Sequence, residues 1–363
     1  MVGHQVSCGT VSEPLIRRGR GDPAEVEAQT PESAVCASTS PGKLHPRRSP
    51  SDALPAERDL SPAELARYAR HYPIPGIGVE GQRRLAGARV LVVGAGGLGS
   101  PVLLYLAAAG VGTIGIVDDD VVDTTNLQRQ VIHKMSDVGQ PKVESAARAI
   151  AELNPHVAVV PHPVRLGAEN ALDLLRGYDL VCDGADNFPT RYLVSDAAEI
   201  LGMPVVWGSI LQCAGQASVF WANPPAADVC RDQGDILGIG DETPRSARGA
   251  ATSAGWARSW QEESDGAGQG DAVGQERGVT LRDVFPTPPP PGSVPNATIA
   301  GVLGATAATI GSVMAAEAIK LITGAGTPLL GRLVVFDSLA MTWSEIPVRR
   351  DPNRAPVRSL AKN

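Results

Sequence analysis

The residues best able to do chemistry begin with the glycine-rich run Gly94-Ala-Gly-Gly-Leu-Gly99. An apolar stretch at 89–93 precedes it and a second one, Leu98 to Ala109, follows, so we predict a buried strand before the run and a helix after it. Glycine permits a tight turn and lets backbone N–H groups approach a phosphate, and a helix N-terminus carries about half a positive charge. The run therefore predicts a phosphate-binding turn with Gly94, Gly96, Gly97 and Gly99 as contacts.

A carboxylate follows the next predicted strand. Asp118 ends the apolar stretch 113–117, about 20 residues after the glycine-rich run, where a carboxylate usually accepts hydrogen bonds from a ribose. The two features together predict an adenine nucleotide but do not separate ATP from NAD. A glycine-rich turn that serves only helix and strand packing is the alternative.

Two cations and a second carboxylate favour ATP. Arg129 ends a polar segment whose expected nucleotide contacts are Thr125, Asn126, Leu127, Gln128 and Arg129. Lys142 starts a predicted helix, and Asp186 with Asn187 follows a later strand. Hydride transfer needs a pyrophosphate cradle and an apolar nicotinamide pocket, whereas ATP cleavage needs cations on the phosphates and a carboxylate for Mg²⁺. We predict ATP and Mg²⁺, with the carboxylate for the metal supplied by the segment Asp183 to Asn187.

Alternating helices and strands must position these residues. Besides the elements above, we predict helices at 61–70, 142–153 and 190–201, and strands at 157–160, 179–182, 204–208, 216–221, 332–336 and 341–346. This alternation predicts an α/β fold with a Rossmann-like, doubly wound, mostly parallel sheet, and we expect C-terminal antiparallel strands.

Composition divides the chain. Residues 1–60 mix Pro, Ser, Gly and Arg without periodicity, so we expect a disordered N-terminal tail. One domain is expected at 61–352, with a flexible insertion at 223–292 and a loose C-terminal tail at 353–363. The uncharged segment 297–316 is long enough to span a membrane but is rich in Gly, Ala and Thr, so we interpret it as a helix in a protein core or dimer interface.

Charge and cysteine content exclude several classes. The formal charge is −7, which argues against a nucleic-acid partner. The five cysteines form no Cys-x-x-Cys pair, so we expect neither a structural zinc site nor a disulfide framework. The N-terminus lacks the apolar core of a signal peptide, and we expect a cytoplasmic protein without a membrane partner.

The ordered motifs resemble one family. Arg67-Tyr-Ala-Arg70, the glycine-rich run, Asn-Leu-Gln-Arg-Gln at 126–130, Gly-Gln-Pro-Lys at 139–142 and Asp186-Asn187 are similar to the MoeB/ThiF superfamily of adenylyltransferases. Within it, the proline run at 288–295 followed by Gly-Val-Leu-Gly at 301–304 is most similar to the actinobacterial MoeZ-type group. We expect no rhodanese domain here.

The resemblance implies an activity and roles for single residues. The implied reaction is ATP-dependent adenylylation of the C-terminal glycine of a ubiquitin-like sulfur-carrier protein that ends in Gly-Gly. Gly97 would contact the nucleotide, Asp118 the ribose, and Asn126, Arg129 and Lys142 the phosphates. Asp186 would hold Mg²⁺, and Arg70 would enter the site of the other subunit of a homodimer. Arg70, Arg129, Lys142 and Asp186 are thus the implied catalytic residues.

The chain departs from the family in three places. The two Cys-x-x-Cys pairs of many members are missing, Asn296-Ala-Thr298 replaces a loop cysteine, and Gln212 and Ala214 replace a common Arg and Glu. These departures place sulfur transfer in doubt. They keep open a nucleotide-binding pseudoenzyme or interaction module of the same fold, and a Rossmann dehydrogenase is the remaining alternative.

Overall fold

Helices and strands alternate along the computed structural model, which describes residues 55–225, 278–290, 293 and 300–361. The helices are α1 Pro62–Arg67, α2 Gly78–Gly87, α3 Gly99–Ala109, α4 Lys142–Leu153, α5 Ala171–Arg176, α6 Phe188–Leu201, α7 Leu281–Val284 and α8 Gly304–Thr323. The strands are β1 Arg89–Val93, β2 Thr113–Val117, β3 Ala158–His162, β4 Leu180–Asp183, β5 Val205–Leu211, β6 Ala214–Phe220, β7 Arg332–Asp337 and β8 Thr342–Pro347. Most of the predicted N-terminal tail and insertion lie outside the described residues.

The eight described strands form one sheet in the order β3-β2-β1-β4-β5-β6-β7-β8. The strands from β3 to β5 are parallel, and those from β5 to β8 pair antiparallel. Strand order reverses at β1, which has β2 on one side and β4 on the other. Sheets of this kind bind ligands outside the carboxyl ends of the strands at such a reversal. The predicted fold class is confirmed.

Helices cover both faces of the sheet. Alternate residues of β1 point to opposite faces, so Val90 and Val92 join one buried cluster while Leu91 and Val93 join another. Helices α2, α3, α4 and α8 complete the first cluster, and α5, α6 and α7 complete the second. The parallel half of the sheet is therefore buried on both faces, which fixes the loops at its carboxyl edge.

Helix α8 is the one described helix long and apolar enough, by length and composition, to cross a membrane; half of its most apolar window is buried. It packs against α3, β5 and β6. A Cβ at Gly311 would lie 2.7 Å from the carbonyl oxygen of Leu98, so glycine is needed for this close approach. This helix was predicted at 297–316, and in the structure it begins at Gly304 and ends at Thr323.

Local composition misjudged several short segments. Residues 278–285, inside the predicted insertion, contain the fully buried Leu281. Within the predicted C-terminal tail, Arg354 pairs with two buried carboxylates. Helices α2 and α5 were not predicted, because glycine at both ends of α2 and the shortness of α5 hide their periodicity. Contacts with residues that are distant in the sequence hold these segments in place, and local composition carries no information about such contacts.

Candidate nucleotide site

The carboxyl ends of β1, β2 and β4 bring three loops to one edge of the sheet. Val93 pairs in register with Val117 on one side and with Asp183 on the other. The residues that follow, Gly94, Asp118 and Gly184, therefore leave the sheet side by side. In the sequence, the loops after β2 and β4 follow the glycine-rich loop by about 20 and about 90 residues. Parallel pairing of the strands makes the three loops neighbours.

The glycine-rich loop needs its glycines for backbone packing. Gly94 has a φ of +90°, a conformation that residues with a side chain rarely adopt. A Cβ on Gly99 would lie 1.9 Å from the carbonyl oxygen of Gly94. At Gly97 a Cβ would be 3.4 Å from Ala307 and 3.5 Å from the Cγ of Arg129, so this glycine faces the space between α8 and the Arg129 side chain.

Asp118 organises the loop and keeps acceptor positions free. Its Oδ2 accepts a hydrogen bond from the backbone N–H of Ala95 at 2.7 Å, and its Oδ1 accepts one from the N–H of Asp120 at 2.9 Å. A carboxylate offers about four acceptor positions, so about two remain for hydroxyl groups. Burial raises the pKa of Asp118, although Lys142 and the two N–H groups oppose that shift.

The segment 124–129 forms a short helical turn that is fixed by Asp123. The carboxylate of Asp123 accepts from the N–H and hydroxyl groups of Thr125 at 2.8 and 2.6 Å, and Asn126 Oδ1 accepts from the Asp123 N–H at 3.2 Å. The half-buried Arg129 donates to the carbonyl oxygen of Thr125 at 3.1 Å. Four of its five N–H donors remain available to a phosphate. Leu127 is half-buried and Gln128 exposed in the same turn.

Lys142, the first residue of α4, reaches the loop after β2. Its Nζ lies 2.7 Å from Asp120 Oδ2, and its side chain is 7% exposed. The carboxylates of Asp118, Asp119 and Asp120 have oxygens within 4.8 Å of one another, which is close enough to surround a cation. This edge of the sheet therefore combines cationic and acidic groups, as a site for a metal-bound polyphosphate requires.

The loop after β4 carries the predicted metal ligand. Asp186 is exposed, and its Oδ1 accepts from Asn187 at 3.3 Å. Asn187 caps α6 by accepting the N–H of Thr190 at 3.0 Å. The second oxygen of Asp186 has no hydrogen bond among the described residues, so it can ligate an ion.

Two buried residues hold that loop in place. Asp183 Oδ1 accepts the N–H of Ala185 at 3.0 Å, and Arg191 donates twice to the carbonyl oxygen of the same residue, at 3.1 and 3.0 Å. Burial raises the pKa of Asp183 to about 6, against the effect of the nearby Arg191 guanidinium. The peptide groups next to Asp186 are thus fixed from both sides.

Arg70 lies away from these loops in the same chain. Tyr68, two residues earlier, packs against Gly110 at the C-terminal end of α3 and its hydroxyl accepts from Asn154 at 2.8 Å. The glycine-rich loop is at the other end of α3, about 16 Å away for 11 helical residues. The structure therefore brings the loops after β1, β2 and β4 to one edge of the sheet, and it places the segment of Arg70 at the other end of α3.

Sequence reasoning assigned no role to two residues beside the glycine-rich loop. The Gln130 side-chain amide points towards Gly96, and its Oε1 is buried without a partner among the described residues. His133 contacts Ala95 and Ser145. His133 follows Arg129 by four residues, which was the available signal in the sequence. A single histidine with no second candidate ligand close by in sequence does not indicate a functional site.

Comparison with known proteins shows the family of the chain. The profile of the ThiF family matches residues 68–357. The chain is 50% identical over 301 residues to the probable adenylyltransferase/sulfurtransferase MoeZ of Mycobacterium tuberculosis, covering 83% of this chain and 64% of MoeZ. It is 44% identical over 294 residues to the sulfur carrier protein adenylyltransferase of Thermus thermophilus, covering 81% and 90%. The chain thus spans less than two thirds of the length of MoeZ.

Solved structures share the fold. The Escherichia coli MccB structure with AMPCPP and MccA has a TM-score of 0.57 at 20% identity, covering 82% of this chain and 75% of MccB. At that identity the similarity extends to the fold alone.

Proposed function

Because the chain belongs to the ThiF family, we propose that it is an ATP-dependent adenylyltransferase acting on the C-terminal carboxylate of a ubiquitin-like sulfur-carrier protein. The observation that carries this proposal is the convergence of the glycine-rich loop, Arg129, Lys142 and Asp186 at the carboxyl ends of β1, β2 and β4. A dehydrogenase has no need for two cations and an exposed carboxylate at this position.

The proposed reaction transfers an adenylyl group. A carboxylate oxygen of the carrier attacks the α-phosphorus of ATP, the bond from that phosphorus to the bridging oxygen of the β-phosphate breaks, and pyrophosphate leaves. A carboxylate is already ionised near neutral pH, so the attack needs no general base. The protein's contribution is to align the two anions and to offset the negative charge that develops on the phosphates.

The described side chains fit these requirements. The glycine-rich loop offers its backbone N–H groups, and Asp118 retains about two acceptor positions for the ribose. Arg129 and Lys142 supply positive charge for the phosphates. Asp186 would hold Mg²⁺, which supplies charge neutralisation on the phosphate oxygens when it is bound.

We further propose a homodimer, in which Arg70 acts on the nucleotide of the partner subunit. Tyr68 anchors this segment at the end of α3 opposite to the glycine-rich loop, so Arg70 cannot serve its own site without leaving that anchor. The printed name of the Thermus thermophilus relative supports a sulfur-carrier substrate. A carrier tail ending in Gly-Gly and a cytoplasmic location remain part of the proposal.

ATP–pyrophosphate exchange tests the proposal directly. The full chain is assayed with Mg²⁺, with and without small carriers ending in Gly-Gly from the same genome. We expect exchange that depends on one carrier, and loss of at least about 100-fold in Arg129→Ala and Lys142→Ala. Arg176→Ala, which removes an exposed arginine at the end of α5, before β4 begins, is the matched control and should leave exchange unchanged.

Two results would overturn the assignment. Full exchange activity in both the Arg129→Ala and Lys142→Ala variants would show that these residues do not act in the site. Tight Mg·ATP binding without exchange for any carrier would instead favour a nucleotide-binding pseudoenzyme of the same fold.

A further inference from the structure

A chain of hydrogen bonds connects helix α4 to the glycine-rich loop through His133. This residue is 6% exposed. Its Nδ1 lies 2.8 Å from Ser145 Oγ, and its Nε2 lies 3.0 Å from the carbonyl oxygen of Ala95. Ser145 Oγ in turn lies 2.8 Å from Asp137 Oδ2. The imidazole therefore joins α4 to the loop that is proposed to hold the phosphates.

The protons in this chain can be assigned from the chemistry of its ends. Burial raises the pKa of Asp137, but hydrogen bonds from Ser145 and Arg148 outweigh burial and the pKa falls to about 2. An ionised carboxylate only accepts, so the Ser145 hydroxyl donates to Asp137. The Ser145 oxygen must then accept from His133 Nδ1–H.

The other end of the imidazole faces a second pure acceptor. The carbonyl oxygen of Ala95 has no proton, so His133 Nε2 must also donate. All three contacts are satisfied together only when both ring nitrogens carry a proton. In the neutral ring, the Nδ1–H tautomer loses the Ala95 contact. In the Nε2–H tautomer the single proton of the Ser145 hydroxyl can serve only one of its two acceptors, Nδ1 of His133 and the Asp137 carboxylate.

We propose that His133 is a positioning residue that orients the Ala95 peptide through Nε2–H, and that the Ser145–Asp137 pair favours its doubly protonated form. This inference rests on the proposed nucleotide site. The N–H of Ala95 donates to Asp118 Oδ2 at 2.7 Å while its carbonyl oxygen accepts from His133, so both peptide groups of Ala95 are fixed. Because the Ala95 peptide groups are fixed, they also orient the N–H groups of Gly96 and Gly97, which follow in the loop.

The groups around His133 act in opposite directions. Burial lowers the pKa of His133 and Lys142 adds to that effect, whereas the Ala95 carbonyl and the carboxylates of Asp118 and Asp137 oppose it. Arg148 pairs with Asp137 at 2.9 Å and so reduces the influence of that carboxylate. Burial is the largest of these effects and the pKa of His133 lies below its ordinary value, so the Ser145 contact favours the second proton against the burial of the ring.

Nuclear magnetic resonance of the full chain labelled with ¹⁵N-histidine tests the proton assignment. We expect Ser145→Ala to weaken the affinity of His133 for its second proton about tenfold, because it removes the charge-assisted contact at Nδ1. Ser136→Ala, at an exposed serine nearby, should leave that affinity unchanged. An equal or higher proton affinity in Ser145→Ala would overturn the proposal.

Two substitutions of His133 test the positioning role through the ATP dissociation constant, measured by calorimetry. His133→Gln keeps an N–H donor that can reach Ala95, and we expect its ATP affinity within about threefold of wild type. His133→Leu leaves the carbonyl oxygen unpartnered, and we expect binding at least about tenfold weaker. Wild-type affinity in a folded His133→Leu protein, or equal losses in both folded variants, would contradict the positioning role.

The proposed role of His133 and the proposed function can be overturned independently of each other. The Ser145→Ala comparison needs no nucleotide and no folded His133 variant, so it decides the proton assignment even in a protein without adenylyltransferase activity. Absence of carrier-dependent exchange in a wild-type protein that binds ATP would overturn the proposed function alone.

Discussion

Lys142 Nζ lies 2.7 Å from Asp120 Oδ2, so a buried ammonium of the proposed phosphate site is already paired with a carboxylate. The Lys142 side chain is 7% exposed and that of Asp120 is 68% exposed. Because the same ammonium is proposed to contact the phosphates of ATP, Asp120 and the nucleotide would compete for it. The pair therefore links protein stability to nucleotide binding.

Asp120→Asn should reveal this competition. Without nucleotide, the substitution leaves a buried ammonium with a weaker partner, and we expect the free energy of unfolding to fall by about 1 kcal/mol. With saturating Mg·ATP the loss should be smaller, because phosphate oxygens replace the carboxylate, and by linkage the variant binds ATP more tightly than wild type. Urea unfolding with and without a non-hydrolysable ATP analogue measures both quantities. Glu80→Gln, at an exposed carboxylate on α2, is the control. Equal losses from Asp120→Asn in both conditions would argue against a shared ammonium.

Mixed dimers test the position of Arg70. Arg70→Ala and Lys142→Ala should each be inactive alone, but a dimer of one with the other holds one site that has both residues intact if Arg70 acts across the interface. Random mixing in equal amounts should restore about a quarter of wild-type exchange activity. Mixing Arg129→Ala with Lys142→Ala is the control, since both residues belong to the site of one chain. No recovery in the first mixture would mean that Arg70 does not act in the partner's site.

Glu64 should make the stability of the protein vary with pH in the acidic range. Its side chain is buried, and the hydrogen bonds from Arg58, at 2.5 Å, and from the Ser61 N–H lower its pKa from 4.5 to about 2, against the effect of burial. Because the folded-state pKa lies below the unfolded-state pKa, this stabilisation is complete above about pH 4.5 and is lost as the pH falls towards about 2.

Glu64→Gln should therefore flatten the stability curve. We expect it to lower the free energy of unfolding by about 2 to 3 kcal/mol near neutral pH, and by much less at about pH 2.5. Urea unfolding across this range is the measurement, with Glu80→Gln, an exposed position on α2, as the control. A constant difference from wild type across the range would show that the carboxylate charge is not responsible.

Arg354 should stabilise the C-terminal segment without affecting ATP. It lies 3.0 Å from Glu199 and 2.9 Å from Asp283, whose side chains are 5% and 0% exposed. Arg354→Ala leaves both carboxylates buried without their cation, and we expect a loss of about 3 to 5 kcal/mol.

The position of Glu199 separates this effect from the nucleotide site. It lies 12 residues after Asn187 on α6, about 18 Å along the helix. The ATP dissociation constant of folded Arg354→Ala should therefore equal that of wild type. Thermal unfolding and calorimetry measure the two effects, with exposed Arg358→Ala as the control. A large loss of ATP affinity in the folded variant would show that the segment reaches the site.

Long apolar and periodic segments were predictable because their pattern is local. The strands at 89–93 and 113–117 and the helix at 142–153 have the predicted bounds. The glycine-rich turn was equally evident, since only glycine permits the backbone at Gly94 and Gly99. Contacts between distant residues were not predictable: the Arg354 partner Glu199 is 155 residues away, and Ala95 is 38 residues from His133.

The sequence by itself determined which residues of this protein could bind a nucleotide and in what order they follow the strands, because side-chain chemistry and hydrophobic period are properties of short segments. Only the tertiary structure decided which of those groups meet. Parallel pairing of β1 with β2 and β4 brings Gly94, Asp118 and Gly184 to one edge. The same packing pairs Lys142 with Asp120 and leaves Arg70 at the far end of α3, because direction and distance depend on how the helices pack on the sheet.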